Sequence, residues 1–436
     1  MKKHKRLSAG KIIALGFLSV ILCGTVLLSL PVSHSGKCEV TFIDALFSAV
    51  SAVCVTGLIT VDTGAAYSLF GQIVIALLLQ IGGLGITSLG AGLIALMGGR
   101  LNQRENNLVK EALNYPTLKG IMPLIRSVLV FVFTIEGIGA VLSFFTFVKD
   151  YSVPRAIWYS VFHSIAAFNN GGFDVLGRGD SVAVYTHDVW FNLVTVALIV
   201  LGGFGFFAMR EIFGHIKGDL RGERYSLHTK VVSMMTALLL VGGTVLLKIT
   251  EGGGITWLGA MFASTTARTA GFATYPIGGF SNAGIVILCV LMFIGASPGS
   301  TGGGVKTTTI YALIKSLASY SRGREARSFG KKLKDEILDK AFIIVSLGVC
   351  WLITAVTVIL VLEPDIAIRD VVFEVVSALS TTGLTTGITP SLGTPARLIL
   401  IVTMYVGRLG PLTIATLWTT GRRSEVSRPE EDIPIG

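Results

Sequence analysis

Charge is the scarcest commodity in this chain. Only 14% of its 436 residues are Asp, Glu, Lys or Arg, against about 25% in an average soluble protein, while 52% are hydrophobic. That balance excludes an ordinary cytosolic enzyme, a disordered chain and a secreted disulfide module. Cysteine is scarce too. The five present (Cys23, Cys38, Cys54, Cys289, Cys350) form no CxxC pair, which excludes a metal or disulfide framework. Four lie in apolar stretches and read as small buried hydrophobes. His163, His187 and His228 share no ligand spacing. Walker A is missing: Val305 separates Gly304 from Lys306, and no strand precedes them, which excludes a P-loop and with it a transport ATPase. The longest polar segment, about 319–340, is too short to fold alone.

Long apolar runs are what the chain does have. Eight cover residues 12–30, 71–99, 127–148, 189–209, 231–247, 285–317, 341–362 and 398–418. A bilayer crossing needs about 20 such residues, so each reads as a transmembrane helix. The first follows a Lys-rich start but exits at Pro31-Val32-Ser33 with no signal-peptide cleavage pattern, and is expected to stay uncleaved. Eight crossings put both termini on one side. That side holds 26 of the 36 Lys and Arg residues and the opposite loops hold 8, so both termini are expected in the cytoplasm. The formal charge of +10 is then a topology signal, not a nucleic-acid one. Gly82-Gly83-Leu84-Gly85 and Gly202-Gly203-Phe204-Gly205 fail GxGxxG and lie inside apolar runs, where they read as close helix contacts.

Each outer connection carries a semi-apolar segment too short to cross, at 47–53, 162–168, 262–267 and 373–379, and each ends on a glycine signal. The signals are Val55-Thr56-Gly57, Asn170-Gly171-Gly172, Thr269-Ala270-Gly271 and Thr381-Thr382-Gly383. Their glycines are 115, 99 and 112 residues apart, close to a quarter of the chain. The chain therefore reads as an all-α polytopic membrane protein of four copies of span, short re-entrant helix, glycine loop and span around one pore. The copies are expected at 1–110, 111–225, 226–335 and 336–436. Non-helical backbone survives at membrane depth only when buried or lining water. Four such segments would present carbonyl oxygens able to replace the hydration shell of a monovalent cation. Glycine permits positive φ and keeps Cβ out of the path.

The sixth run is broken by Gly295-Ala296-Ser297-Pro298-Gly299-Ser300-Thr301-Gly302-Gly303-Gly304 and then Lys306. Glycine costs a helix about 1 kcal/mol and proline about 3, so this stretch reads as a flexible loop inside the bundle, beneath the four glycines. Arg408 falls inside the last run, where a charge is functional by default. Glu136 is expected to pair with a basic group that the sequence does not name. Arg268 and Glu374 read as scaffold behind the glycine segments.

These four glycine motifs, with the stretch from Phe293 to Thr308 and Gly407-Arg408-Leu409-Gly410-Pro411, resemble the Ktr/Trk/HKT superfamily of potassium uptake proteins over essentially the whole chain, most of all its bacterial KtrB-type branch. The second motif reads Asn-Gly-Gly-Phe where members commonly have Asn-Ala-Gly-Phe. The resemblance implies a selectivity filter with one glycine per unit and potassium, not sodium, preference from Gly57. It implies an intramembrane gate made by residues 295–304 with Lys306, near Arg408. It also implies sodium stimulation, a homodimer in the plasma membrane and a KtrA-like cytoplasmic ring that binds nucleotide. The expected docking surface is 322–340. No covalent cofactor is expected, and the only metal is potassium at the filter. A potential of 100 mV gives about 2.3 kcal/mol per charge, enough for uptake without ATP. The other reading from the residues is a proton- or sodium-coupled secondary transporter. Such transporters often invert their repeats, whereas these four run parallel.

Overall fold

Apolar runs without charge leave the backbone no water to bond, and a helix satisfies it internally. The computed structural model is accordingly helical; it describes residues 9–85, 90, 121–218, 224–410 and 413. The ends of the second and eighth runs, the termini and the boundary at 110/111 lie outside these residues.

Among the described residues, four helices are long and apolar enough to cross a membrane: α1 (Ala9–Ser29), α5 (Ile121–Phe147), α9 (Leu227–Glu251) and α13 (Asp335–Leu362). Their outward faces are apolar, for example Leu15, Leu22 and Val26 on α1 and Val241 and Ile249 on α9, while Thr, Ser and Asn side chains are buried inside. Such a surface suits lipid. The chain is an all-helical multi-span membrane protein.

After each long helix comes a short one: α2 (Phe42–Cys54), α6 (Val153–Phe168), α10 (Trp257–Thr266) and α14 (Ile368–Ser380). Side chains start two of them. Thr41 and Asp44 form a reciprocal capping box on α2, and the Thr256 hydroxyl accepts from the Gly259 N–H on α10, satisfying otherwise free donors. All four are buried along half or more of their length. The one-turn α3 (Thr63–Ala66) follows the first glycine segment.

The second helix of each pair differs from expectation. α4 (Leu69–Leu84) and α15 (Thr394–Leu409) have 16 residues each, and α11 (Asn282–Phe293) has 12. α7 (Val189–Gly203) bends by 106° into α8 (Phe206–Lys217). The cause is glycine: Gly85, Gly205 and Gly410 take φ of 77°, 98° and 86° with ψ of 136°, 126° and 137°. Only glycine adopts that conformation readily. The glycine clusters at 82–85 and 202–205 therefore end helices as well as admit close contacts.

α12 (Thr307–Tyr320) resumes after the Gly-rich break. A small antiparallel hairpin, β1 (Arg327–Ser328) with β2 (Lys331–Lys332), departs from the all-helical expectation. Phe329 and Gly330 both have positive φ, as its two-residue turn demands. The Ser328 hydroxyl meets the Tyr311 hydroxyl at 2.6 Å, anchoring the hairpin to α12.

The cysteine expectation needs correction. Cys54 is buried and Cys289 half-buried, but Cys23, Cys38 and Cys350 are exposed; all five are free. Cys23 and Cys350 lie on the lipid-suited faces of α1 and α13, where a thiol is tolerated as readily as a methyl. The first and last quarters of the chain meet as well: Arg397 Nη1 on α15 lies 2.8 Å from Asp44 Oδ1 on α2.

Candidate functional site

Each short helix runs into a glycine segment, and the four segments touch in cyclic order. A Cβ added to Gly57 would lie 2.6 Å from the Gly171 carbonyl oxygen; one on Gly172 would lie 2.7 Å from that of Ala270. One on Gly271 would strike the Thr382 carbonyl, and one on Gly383 the Thr56 carbonyl. The expected site residues of all four segments therefore come together as a closed ring, 57 to 172 to 271 to 383 and back to 57. No side chain fits between neighbours.

The backbone is unusual at a second place in each segment. The glycines have φ of 95°, 63°, 85° and 92°. Two residues earlier, Val55, Asn170, Thr269 and Thr381 also have positive φ, 57°, 59°, 72° and 52°. Asparagine tolerates this, but valine and threonine do so at a cost. At Val55, Thr269 and Thr381 nothing in the residue type announced that conformation, because β-branched side chains are the least expected there.

Hydrogen bonds hold the strained segments unequally. The Ser51 hydroxyl accepts from the Gly57 N–H at 3.0 Å, and Ser377 does the same for Gly383 at 3.0 Å. Thr266 instead donates to the Phe272 carbonyl at 2.7 Å. Asn170, with its amide nitrogen toward the Ala167 and Ile199 carbonyls, accepts from the Thr269 hydroxyl at 3.3 Å.

Behind the ring lie the intramembrane charges. Among the described residues Glu136 does not meet a basic group. Its carboxylate accepts from Gln80 Nε2 at 3.2 Å and Asn169 Nδ2 at 2.9 Å, so amides replace the expected cation. Arg268 Nη2 donates to the Thr236 hydroxyl at 3.4 Å. Glu374 accepts from the Thr385 hydroxyl, from the Thr386 N–H at 3.1 Å and from the Thr389 hydroxyl at 2.9 Å. It thereby fastens the loop that leaves the fourth glycine. These partners are missed by sequence reasoning because threonine and glutamine carry no distinctive spacing.

The Gly-rich loop packs beneath the ring. A Cβ on Gly302 would meet the Thr269 hydroxyl, and one on Gly303 that of Thr381. Its ends are tied together by a short parallel bridge between Ile294 and Val305, with Gly295 N–H donating to the Val305 carbonyl at 2.9 Å. Ser297 N–H donates to the Gly203 carbonyl at 3.1 Å, Thr301 N–H to that of Gly202 at 3.2 Å, and Phe206 N–H to that of Gly299 at 2.8 Å. A Cβ on Gly205 would sit 2.7 Å from the Pro298 carbonyl oxygen. Ser300 bonds back to the Ser297 carbonyl, and Thr307 N–H to that of Ala296 at 3.3 Å. Lys306 Nζ donates to the Gly302 carbonyl at 2.7 Å. Arg408 grips the loop from the last helix: Nη1 donates to the Thr301 carbonyl and Nη2 to that of Gly82. Residues 295–304, Lys306 and Arg408 are thus brought together, and Arg408 has carbonyl partners.

At the opposite end Asp174 follows the second glycine and is half-buried. Burial, then the nearby Asp62 and Asp180 charges, push its carboxyl up to about 7.

Known proteins share this chain. The TrkH family profile, described as a cation transport protein, matches residues 12–252 and 229–425. The potassium/sodium uptake protein NtpJ of Enterococcus hirae is 38% identical across all of this chain and 99% of its own. The Ktr system potassium uptake protein B of Bacillus subtilis is 35% identical across all of this chain and 98% of its own. The crystal structure of the potassium transporter TrkH from Vibrio parahaemolyticus shares the fold, with a TM-score of 0.75 and 18% identity over 96% of this chain and 87% of that one. By profile and by full-length likeness the chain belongs to the TrkH family of cation transport proteins, which are transporters and not enzymes.

Proposed function

We propose that the protein is a potassium uptake pore of the plasma membrane. Four units, residues 1–110, 111–225, 226–335 and 336–436, surround one axis, with both termini in the cytoplasm. The observation that carries this reading is the closed ring of Gly57, Gly172, Gly271 and Gly383, each against the carbonyl oxygen of the next segment. Carbonyl oxygens stand in for hydration water of a monovalent cation. Val55, Thr56, Asn170, Gly171, Thr269, Ala270, Thr381 and Thr382 supply the rest of the filter backbone. Positive φ at alternate residues breaks the side-to-side alternation of an ordinary strand, which favours oxygens facing one way.

Residues 295–304 with Lys306 form the gate, and Arg408 holds it closed by the Thr301 and Gly82 carbonyls. Both positive side chains oppose cation passage until the loop moves. Potassium and sodium uptake is named for the Enterococcus relative, and sodium here acts as an activator. The Ktr system named for the Bacillus relative supports a partner protein; our reading is a homodimer on a ring-forming, nucleotide-binding KtrA-like subunit. That subunit docks at 322–340, where the β1–β2 hairpin stands on α12.

The test is rubidium uptake into proteoliposomes with an imposed potential, with and without sodium. Uptake that follows the potential and is blocked by excess potassium is expected. Uptake driven instead by a pH gradient at zero potential would overturn the pore reading.

A further inference from the structure

A groove of about 700 Å³ opens on the membrane face between α11, α13 and α14. Its wall is apolar: Ile285, Cys289, Phe293, Val349, Leu352 and Val372. Its volume lies in the range of small-molecule pockets, about 300–1,000 Å³. Arg369 and Asn282 stand at one end, and Phe293 and Ile294 at the other. Twelve residues of helix rise from Asn282 to Ile294, roughly 18 Å. One leaflet of hydrocarbon is about 15 Å deep, half of the 30 Å core.

The guanidinium at the mouth is held but not cancelled. Arg369 Nη1 donates to Asn282 Oδ1 at 3.0 Å, and Nη2 to the Gly278 and Phe280 carbonyls at 3.2 and 2.9 Å. These acceptors are neutral. The Asp370 carboxylate stands 4.0 Å from Nε, at the limit of an ion pair, and Nε itself is buried. Nη1 makes one hydrogen bond of the two it can donate, and on a planar guanidinium about a third exposed that second N–H fits a phosphate oxygen.

We propose that this groove is a phospholipid site, with one acyl chain along α11 and the phosphate on Arg369. A phospholipid matches both ends, an anionic head at the guanidinium and one leaflet's length of chain below it. A helix of a second copy does not fit: ten residues, about 15 Å long and 10 Å across, occupy roughly 1,200 Å³. The chain's tail meets Phe293 and Ile294, which directly precede the Gly-rich loop, so an occupied groove braces the frame from which that loop hangs.

The experiment uses the full-length protein in nanodiscs containing phosphatidylglycerol that carries a diazirine at one tail end. Photolabelled peptides are mapped by mass spectrometry. The expected result is label concentrated at 285–294 and 345–352, at least fivefold above α1, which serves as the annular-lipid control. Excess unlabelled phosphatidylglycerol should compete, and diacylglycerol with the same chains should not. Arg369→Gln should bring groove labelling down to the α1 level, and Val349→Trp, which fills the groove without touching the arginine, should do the same. Even labelling of α1 and the groove, or equal competition by diacylglycerol, would overturn the site. Groove labelling that appears only when the protein is diluted to monomers would assign the groove to a second copy instead.

Discussion

A methyl group at Gly383 would strike the Thr56 carbonyl, and the residue's φ of 92° disfavours any side chain. Gly383→Ala should therefore spread the ring and lower potassium-over-sodium discrimination, and Gly57→Ser should act in the same direction. Competition of sodium against rubidium uptake measures both. Gly253→Ala is the control: nothing lies within 4 Å of its added methyl, so selectivity should not change. Asp174 supplies a pH prediction. Its carboxyl, raised to about 7 by burial and by Asp62 and Asp180, is protonated at acid pH and gains charge as pH rises through 7. Negative charge beside an ion entrance concentrates cations. The apparent KM for rubidium should fall between pH 6 and 8, and Asp174→Asn should flatten that profile. The four ring glycines were legible from sequence because their spacing nearly quarters the chain. The left-handed Val55 and Thr381 were not, since their residue types argue against the conformation they adopt.

Among the helices, the first of each pair was readable from its long apolar run, and the second was not. α7 stops at Gly203 although its apolar run continues to residue 209, because Gly205 takes the positive φ at which the chain bends into α8. A Cβ on Gly202 would collide with the Phe168 carbonyl at the end of α6, as one on Gly82 would with Val53 and one on Gly407 with Leu379. Each of these three helices seats the end of a short helix on a glycine. Gly202→Ala should cost about 1–3 kcal/mol by overpacking and lower the thermal midpoint in detergent. Gly242→Ala, whose methyl would meet nothing within 4 Å, should not lower it. The Gly-rich break was legible as a loop from its helix-breaking composition. Its partners were not, because backbone carbonyls leave no mark on a sequence. Arg408→Ala removes the donors to Thr301 and Gly82 and should raise initial rubidium uptake per inserted protein. Deleting 300–303 should raise it as well. Well-inserted variants that conduct no faster would make the loop a connector and not a gate.

Across the whole molecule, the first and last quarters of the chain are joined by a largely buried ion pair, Asp44 with Arg397, 353 residues apart. Arg397 also donates to the Leu392 and Pro390 carbonyls at 2.8 Å each. Removing one partner of a buried pair leaves the other charge stranded at a cost of about 3 kcal/mol. Arg397→Gln should lower the thermal midpoint, and the charge exchange Asp44→Arg with Arg397→Asp should restore part of it. Neither sequence position advertises this pairing, since nothing local links a capping aspartate to an arginine at the far end. The same seam sets an order of events during synthesis. Gly383 lies against Thr56 only after some 380 residues have left the ribosome, so the first segment waits with one flank open while the others are made. Contacts so distant in sequence form slowly and leave unpaired surface exposed meanwhile. A nascent chain therefore has no closed ring of glycine segments until its last quarter is inserted, and on the pore reading proposed above no complete filter exists before then.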